Sequence, residues 1–211
     1  MATDIATLTD GVISDELRTY GVSATVDVRS AIRAYIPLLL RWNRRVSLTT
    51  VTDPLQILRF HFGESMFASR VIADRKGRLA DVGSGAGFPG IPLKLLISTL
   101  DIVLIEPNAK KAAFLAEVVR ELKLEGVEVY RGRFDSLAAA SGFDYVTARA
   151  LGMHEEFVQW SRTVISVNGS VILWLGEKDA VHVSLQKSWR WSKPLPIPGS
   201  HSRVLLVGSA V

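Results

Sequence analysis

The chain has 211 residues, 48% of them hydrophobic and 22% charged, a formal net charge of +4 and no cysteine. That length and balance allow one substantial core, or a domain carrying a smaller appendage, and exclude a disordered chain or a filament. Without cysteine, disulfides and thiolate metal sites are excluded as well.

The N-terminal stretch "MATDIATLTDGVISDELRTYG" has acids where a secretory leader would be basic, and no apolar segment follows them. The longest apolar runs, "YIPLLLRW" and "IPLKLLISTL", meet Arg or Lys well short of the roughly 20 residues that cross a bilayer. The expectation is a soluble, cytoplasmic protein with no membrane contact and no bound metal, acting as a monomer.

Residues 28–46, "VRSAIRAYIPLLLRWNRRV", place Ile32, Ile36, Leu39, Leu40 and Val46 at helical spacings, with Arg29, Arg33, Arg41, Arg44 and Arg45 between them. This predicts an amphipathic helix with a basic outer face, kinked or broken near Pro37. In "TDPLQILRFHF", Asp53 is placed to cap a second helix, with Pro54 first and Gln56 third in it, running to about Ile72. Residues 1–76 then form an N-terminal helical extension that leaves through "ADRKG", and 77–211 form the main domain.

From Arg78 the pattern changes. "RLADVG", "DIVLIE", "VEVYRG", "FDYVTAR", "SVILWLG" and "RVLLVGS" read as strands, and "IPLKLLIS", "NAKKAAFLAEVVREL" and "MHEEFVQWSRTVI" as helices between them. Near-continuous apolar strands alternating with helices predict an α/β fold, a mostly parallel sheet covered on both faces. The last strand follows the Pro- and Ser-rich loop "WRWSKPLPIPGSHS" instead of a helix, so an antiparallel entry is expected. No acid follows Asp179, while Lys187, Arg190, Lys193 and Arg203 do. Such a segment suits a polyanion, or is simply a soluble basic surface.

The stretch "LADVGSGAGFPGIP", residues 79–92, is the turn from the first strand into the first helix of that sheet, where ligands bind in parallel α/β folds. Residues 85–90 match G-x-G-x-x-G, the dinucleotide fingerprint, but in poor register, because Gly83 already stands at the strand end. Read instead as D-x-G-x-G-x-G, Asp81 faces a cationic amine and Gly83, Gly85 and Gly87 lie against an amino-acid moiety. That reading points to S-adenosylmethionine, with a nicotinamide cofactor as the rival. Glu106, ending the second strand, can hold both hydroxyls of a ribose in either case, or act only as a helix cap.

Taken together, these residues resemble the bacterial RsmG (GidB) family, methyltransferases that modify a guanine at N7 in 16S ribosomal RNA. The resemblance runs from about residue 30 to near the end of the chain. "RWNRRVSLTTVTDP" is similar to the family's W-N-x-x-x-N-L-T segment, with Ser47 for Asn, and "HFGES" to its H-x-x-D-S signature, with Glu64 for Asp. "DVGSGAGFPGIPLKLL" is nearly the family's glycine loop, "LIEPNAKKAAFLAEVVRELKL" resembles its second strand and following helix, and "VTARAL" its S-R-A motif. Phe60 stands where the family has a basic residue, with Arg59 beside it. Leu175 replaces the Lys of the family's L-K-G, with Lys178 as a nearby substitute.

The resemblance implies a Rossmann-like domain of seven strands, S-adenosylmethionine as cofactor, and 16S rRNA or the small ribosomal subunit as partner. It implies Gly83 and Phe88 lining the cofactor, Glu106 on its ribose, Phe134 and Asp135 beside its adenine, and Arg149 reaching the site from the fourth strand. Attack by N7 uses an in-plane lone pair and needs no general base, so no acid or base catalyst is assigned and Arg149 is expected to act in positioning. His61, Arg133 and Arg59 are the candidates for contact with RNA, although His61 can equally be a helix histidine that braces the extension. The arginines at 41, 44 and 45 are either a solvated face or phosphate contacts. "KSWRWSK" reads as a strand with one apolar and one wet face in preference to an RNA-stacking surface. A methyltransferase acting on a small molecule or a protein, and an RNA-binding module without catalysis, remain as alternatives.

Overall fold

The computed structural model describes residues 5–72, 75–137, 142–150 and 152–210. Ala73 and Asp74 of the expected exit, and Leu151 of "VTARAL", lie outside the described residues.

Thr9 and Thr25 each accept a backbone N–H in the first turn of the helix they precede, α1 (Asp10–Arg18) and α2 (Val26–Asn43). Of the expected kink or break at Pro37 there is no break: α2 continues through it. Its basic face is also less bare than the sequence suggests, because Arg29 and Arg33 both pair with Asp10 of α1. Asp53 caps the next helical run as expected, accepting the Gln56 N–H at 2.9 Å, with Pro54 at the first position. This run, α3, is not uniform: Pro54–Gln56 is α-helical, Ile57–Gly63 π-helical, Glu64–Met66 α-helical and Phe67–Val71 a 3₁₀ turn. A π-helical stretch inside a longer helix often marks a functional position. Here it carries His61.

The sheet comprises β1 (Gly77–Val82), β2 (Leu100–Ile105), β3 (Val127–Tyr130), β4 (Phe143–Arg149), β5 (Ile165–Gly176), β6 (Trp189–Trp191), β7 (Leu195–Pro196) and β8 (Arg203–Ala210). Its order is β3-β2-β1-β4-β5-β8-β6, with β7 beside β8. The first five strands run parallel, and β8 enters antiparallel against β5. The described sheet thus has eight strands where seven were expected, because the short β7 also pairs with β8. Order reverses between β1 and β4, which opens a crevice at the carboxyl ends of these two strands. In β6, Trp189 is buried and Arg190 exposed, the two-faced strand that its alternation predicts.

Side chains alternate between two cores. Leu79, Ile102, Leu104, Ile172, Trp174 and Leu205 face one side, where α4 (Gly90–Leu96), α5 (Ala109–Glu121) and the whole extension pack. Ala80, Val103, Ile105, Val146, Val171 and Leu206 face the other, under α6 (His154–Val164) and α7 (Glu177–Val183). Ile13, Leu17, Ile32, Ile36, Leu39, Ile57 and Phe62 of the extension belong to the same cluster as the sheet residues. Residues on both sides of position 77, where β1 begins, thus share one core.

Gly63 shows how closely the extension is fitted. A β-carbon there would fall 2.3 Å from a ring carbon of Tyr20, so any side chain must displace that ring. Gly63→Ala is expected to destabilise the fold by about 1–3 kcal/mol through overpacking. Urea titration should show a lower midpoint with an unchanged slope.

Candidate functional site

The turn after β1 sits at the β1/β4 reversal. Gly83 and Ser84 donate their N–H groups to the Ile105 carbonyl at 2.9 and 3.1 Å, so the turn folds over the end of β2. Gly83, Gly85 and Gly87 have φ of 68°, 56° and 81°, the left-handed region that favours glycine. At Gly85 a β-carbon would meet nothing nearer than the Gly83 carbonyl, at 3.7 Å. The bare backbone here faces open space, which a larger residue would fill. That is the cradle an amino-acid moiety requires.

Glu106 borders this cradle and is 5% exposed. One carboxylate oxygen accepts the Gly85 N–H at 2.9 Å and the other the Asn108 N–H at 2.8 Å. Each oxygen keeps a lone pair for a further donor such as a ribose hydroxyl. Capping of α5 falls instead to Asn108, which accepts from Lys110 and Lys111. Glu106 is thus left as a carboxylate at a strand end that holds the glycine turn, and its chemistry fits the expected cofactor.

Asp81 requires a correction. It is fully buried, and its oxygens accept from the Gly90 N–H at 3.0 Å and the Thr147 hydroxyl at 3.1 Å. The carboxylate therefore ties β1 to β4 and to the start of α4, and does not face an incoming amine. Burial pushes its pKa up to about 6, with a smaller push from Glu106, while the Gly90 and Thr147 donors pull it down.

Phe88 lies in the seam between the turn and the extension, stacked on His61 with ring centroids 4.7 Å apart and on Tyr35 at 5.6 Å. Tyr35, fully buried, donates its hydroxyl to the Ala86 carbonyl inside the turn. His61 shares a 2.8 Å hydrogen bond with the Thr49 hydroxyl, and its Nδ1 is buried without a hydrogen-bond partner. Burial, and next the nearby Arg149 charge, lower its pKa to about 3, so the ring is neutral. Of the two readings of His61, the geometry is that of the brace.

Arg149 ends β4. Its guanidinium donates to the Phe60 carbonyl at 2.5 Å and to the Ser65 hydroxyl at 3.3 Å, and pairs with Glu64 at 3.3 Å. It thus ties the end of β4 to α3, beside His61. Glu64, 1% exposed, is also paired with Arg203 at 2.5 Å, and its carbonyl accepts the Trp174 indole N–H at 2.8 Å. Arg203 in turn lies over the Phe60 ring, 5.6 Å from its centroid. A cation thus stands beside the position where the family's basic residue is replaced.

The remaining candidates are dispersed. Arg59 is held by Glu16 of α1 through two hydrogen bonds of 2.7 and 2.6 Å, so it serves the extension and is not free for RNA. Arg133 and Asp135 pair with each other at 2.8 Å on the exposed turn after β3, while Phe134 is buried against Trp160. Leu175 is buried, and Lys178 lies exposed in α7, not in a loop. Sequence reasoning missed Tyr35, Arg203 and Trp174. Tyr35 alone had a local signal, a hydroxyl on the apolar face of a predicted helix.

Among the described residues no cluster of His, Asp and Glu could hold a metal, and no helix is long and apolar enough to cross a membrane.

Two of the shifted groups, His61 and Asp81, oppose one another with pH. His61 has a folded pKa below its unfolded 6.5, so its contribution is present above about pH 6.5 and is lost as pH falls toward 3. Asp81 has a folded pKa above its unfolded 3.8, so its contribution is present below about pH 4 and is lost as pH rises through about 6. Relative to the parent chain, His61→Gln should gain stability as pH falls from about 6 to 4, and Asp81→Asn should lose it, by up to about 1.4 kcal/mol per pH unit. Denaturation midpoints across that range check this; parallel profiles would contradict it.

A model of the GidB family, rRNA small subunit methyltransferase G, matches residues 29–194. A ribosomal RNA small subunit methyltransferase G of Xylella fastidiosa (strain 9a5c) is 40% identical over 143 residues, 68% of this chain and 66% of that protein, just under two thirds of its length. The protein of that name from Stutzerimonas stutzeri (strain A1501) is 37% identical over 61% of this chain and 60% of its own length. Among solved structures, a SAM dependent methyltransferase from Aquifex aeolicus superposes with a TM-score of 0.55 at 15% identity, covering 64% of this chain and 82% of that one. The precorrin-6y C5,15-methyltransferase from Geobacter metallireducens GS-15 gives 0.54 at 16%, covering 77% and 89%. At such identities the likeness concerns the fold alone. The sheet order, the glycine turn and the match over residues 29–194 lead to one conclusion: the chain belongs to the GidB family of rRNA small subunit methyltransferase G proteins.

Proposed function

We propose that this protein transfers the methyl group of S-adenosylmethionine to N7 of a guanine in 16S ribosomal RNA, acting in the cytoplasm as a monomer on the RNA or on the small subunit. The observation that carries this reading is the open glycine cradle beside the Glu106 carboxylate, at the sheet's order reversal, in a chain of this family.

Bound in the cradle, S-adenosylmethionine would supply a sulfonium methyl group that the in-plane lone pair of guanine N7 can attack in line. The chain's own residues act by holding and orienting. Gly83 and Gly85 let backbone come close to the ligand, and Glu106 offers acceptors for the ribose while fixing the turn. Phe134 and Asp135, on the turn after β3, are the proposed wall for the adenine. Asp81 keeps the turn in shape from below, and Arg149 works at one remove, by positioning α3 and with it His61 against Phe88.

No side chain has to remove a proton, because N7 of the attacking guanine carries none. The neutral His61 and the hydrogen-bonded Asp81 are consistent with a site that catalyses by placement, an effect worth roughly 7–11 kcal/mol in favourable model systems. The N7 edge is hidden in the deep groove of an RNA helix, so the acceptor is an unpaired or locally opened nucleotide.

The test is incubation with radiolabelled S-adenosylmethionine and deproteinised 16S RNA or small subunits, followed by nucleoside analysis. Label in 7-methylguanosine is the expected result. Gly85→Val, which fills the cradle at a positive φ, should abolish both cofactor binding in calorimetry and labelling. Cofactor binding without label in either RNA would reject the acceptor, and unchanged affinity in Gly85→Val would reject the site.

A further inference from the structure

The end of α2 and the start of α5 enclose a cavity of about 560 Å³, lined by Arg41, Trp42, Arg44, Arg45, Lys110 and Glu117 among others. Four of these side chains are cationic and one is a carboxylate. Glu117 is taken by Arg41, at 3.0 Å. Arg44, Arg45 and Lys110 are exposed and have no ion pair among the described residues. Three uncompensated cations around one hollow repel each other, and an anionic ligand relieves that repulsion.

One aromatic ring lines the hollow. Trp42 is half-buried, its ring edge-on to the core residue Phe114 at 5.7 Å, which leaves part of the indole to the hollow. The rim is fixed by Asn43, whose side chain accepts from the Leu48 and Thr49 N–H groups at 2.8 and 3.0 Å and donates to the Thr49 carbonyl at 2.8 Å. Thr49 then bonds His61, which stacks on Phe88 of the glycine turn. On the other side Lys110 lies four residues after Glu106, in the first turn of α5. The hollow is thus joined to the candidate site from both sides by short, hydrogen-bonded connections.

From this arrangement we infer that the Arg44/Arg45/Lys110 hollow binds the phosphate backbone of a single-stranded stretch of substrate RNA next to the acceptor nucleotide. The inference rests on the proposed RNA substrate and names the surface that grips it. Unpaired cations around an aromatic ring are the combination that tracks single strands without reading sequence. A duplex would not need the aromatic surface, and a free phosphate would not need three cations spread along a hollow.

The experiment compares the parent chain with the triple variant Arg44→Gln, Arg45→Gln, Lys110→Gln. Binding of a fluorescent single-stranded oligoribonucleotide is followed by anisotropy at several salt concentrations, with thermal midpoint and S-adenosylmethionine affinity as checks that the fold is intact. Loss of three phosphate contacts should lower the slope of log K against log salt by about 2 and weaken binding at least tenfold at low salt. Equal affinity and slope in the two chains would overturn the inference. Unchanged oligoribonucleotide binding with lost binding of small subunits would also overturn it, in favour of an acidic protein surface. Parallel labelling assays separate this result from the methylation reading. 7-Methylguanosine formed by a parent chain whose triple variant binds RNA equally well removes the hollow alone. Weakened RNA binding in the triple variant, with no methylation by the parent, removes the assigned reaction and leaves the hollow standing.

Discussion

The Glu64 carboxylate, 1% exposed and set between Arg149 of β4 and Arg203 of β8, is the contact on which the arrangement of this protein turns. A charge so deeply buried needs partners, and both come from the sheet: one carboxylate oxygen accepts from Arg203, and the other faces Arg149 at 3.3 Å without a hydrogen bond. Removing Glu64 itself would leave the largely buried Arg149 cation without its counter-charge, at a cost of about 3–5 kcal/mol. Replacing the whole group with apolar side chains need not destabilise the fold at all. What the ion group provides is register: with the Trp174 N–H on the Glu64 carbonyl, it fixes where α3 lies on the sheet.

That register governs the candidate site. α3 is π-wound from Ile57 to Gly63, and His61 within it stacks on Phe88 of the glycine turn. Tyr35 of α2 reaches the same turn through the Ala86 carbonyl. The turn is therefore held on two sides, by Asp81 and Glu106 from the sheet and by His61 and Tyr35 from the extension. The two sheet carboxylates have different tasks because their surroundings differ. Asp81, with no exposure, can only brace, whereas Glu106 stands at the rim beside the open face of Gly85.

Much of this was legible in the sequence, for a physical reason in each case. The strands of the parallel sheet show as apolar runs because both of their faces are buried, and the glycine turn shows because backbone at φ > 0 excludes most side chains. Asp53, Pro54 and Gln56 mark the start of α3 through purely local hydrogen bonding. The protein partners of other residues were not legible, for a shared reason. Arg149, Arg59 and Asp81 look like ligand contacts when only their neighbours in sequence are considered, but their partners lie far along the chain: Arg149 meets Phe60, Arg59 meets Glu16 and Asp81 meets Thr147. Pro37 predicts a kink or a break from local sterics; α2 continues past it, with Ile36 and Leu38 packed in the core. The pairing of β7 with β8 involves two residues and leaves no periodic trace.

Coupling between extension and glycine turn is the central claim, and native-state hydrogen exchange with and without S-adenosylmethionine tests it most directly. If the two form one unit, cofactor binding slows exchange of the amides in residues 57–66 together with those in 83–90. Slowing confined to the glycine turn and the end of β2, with α3 unaffected, would show that the extension is merely attached to the domain and would contradict the account.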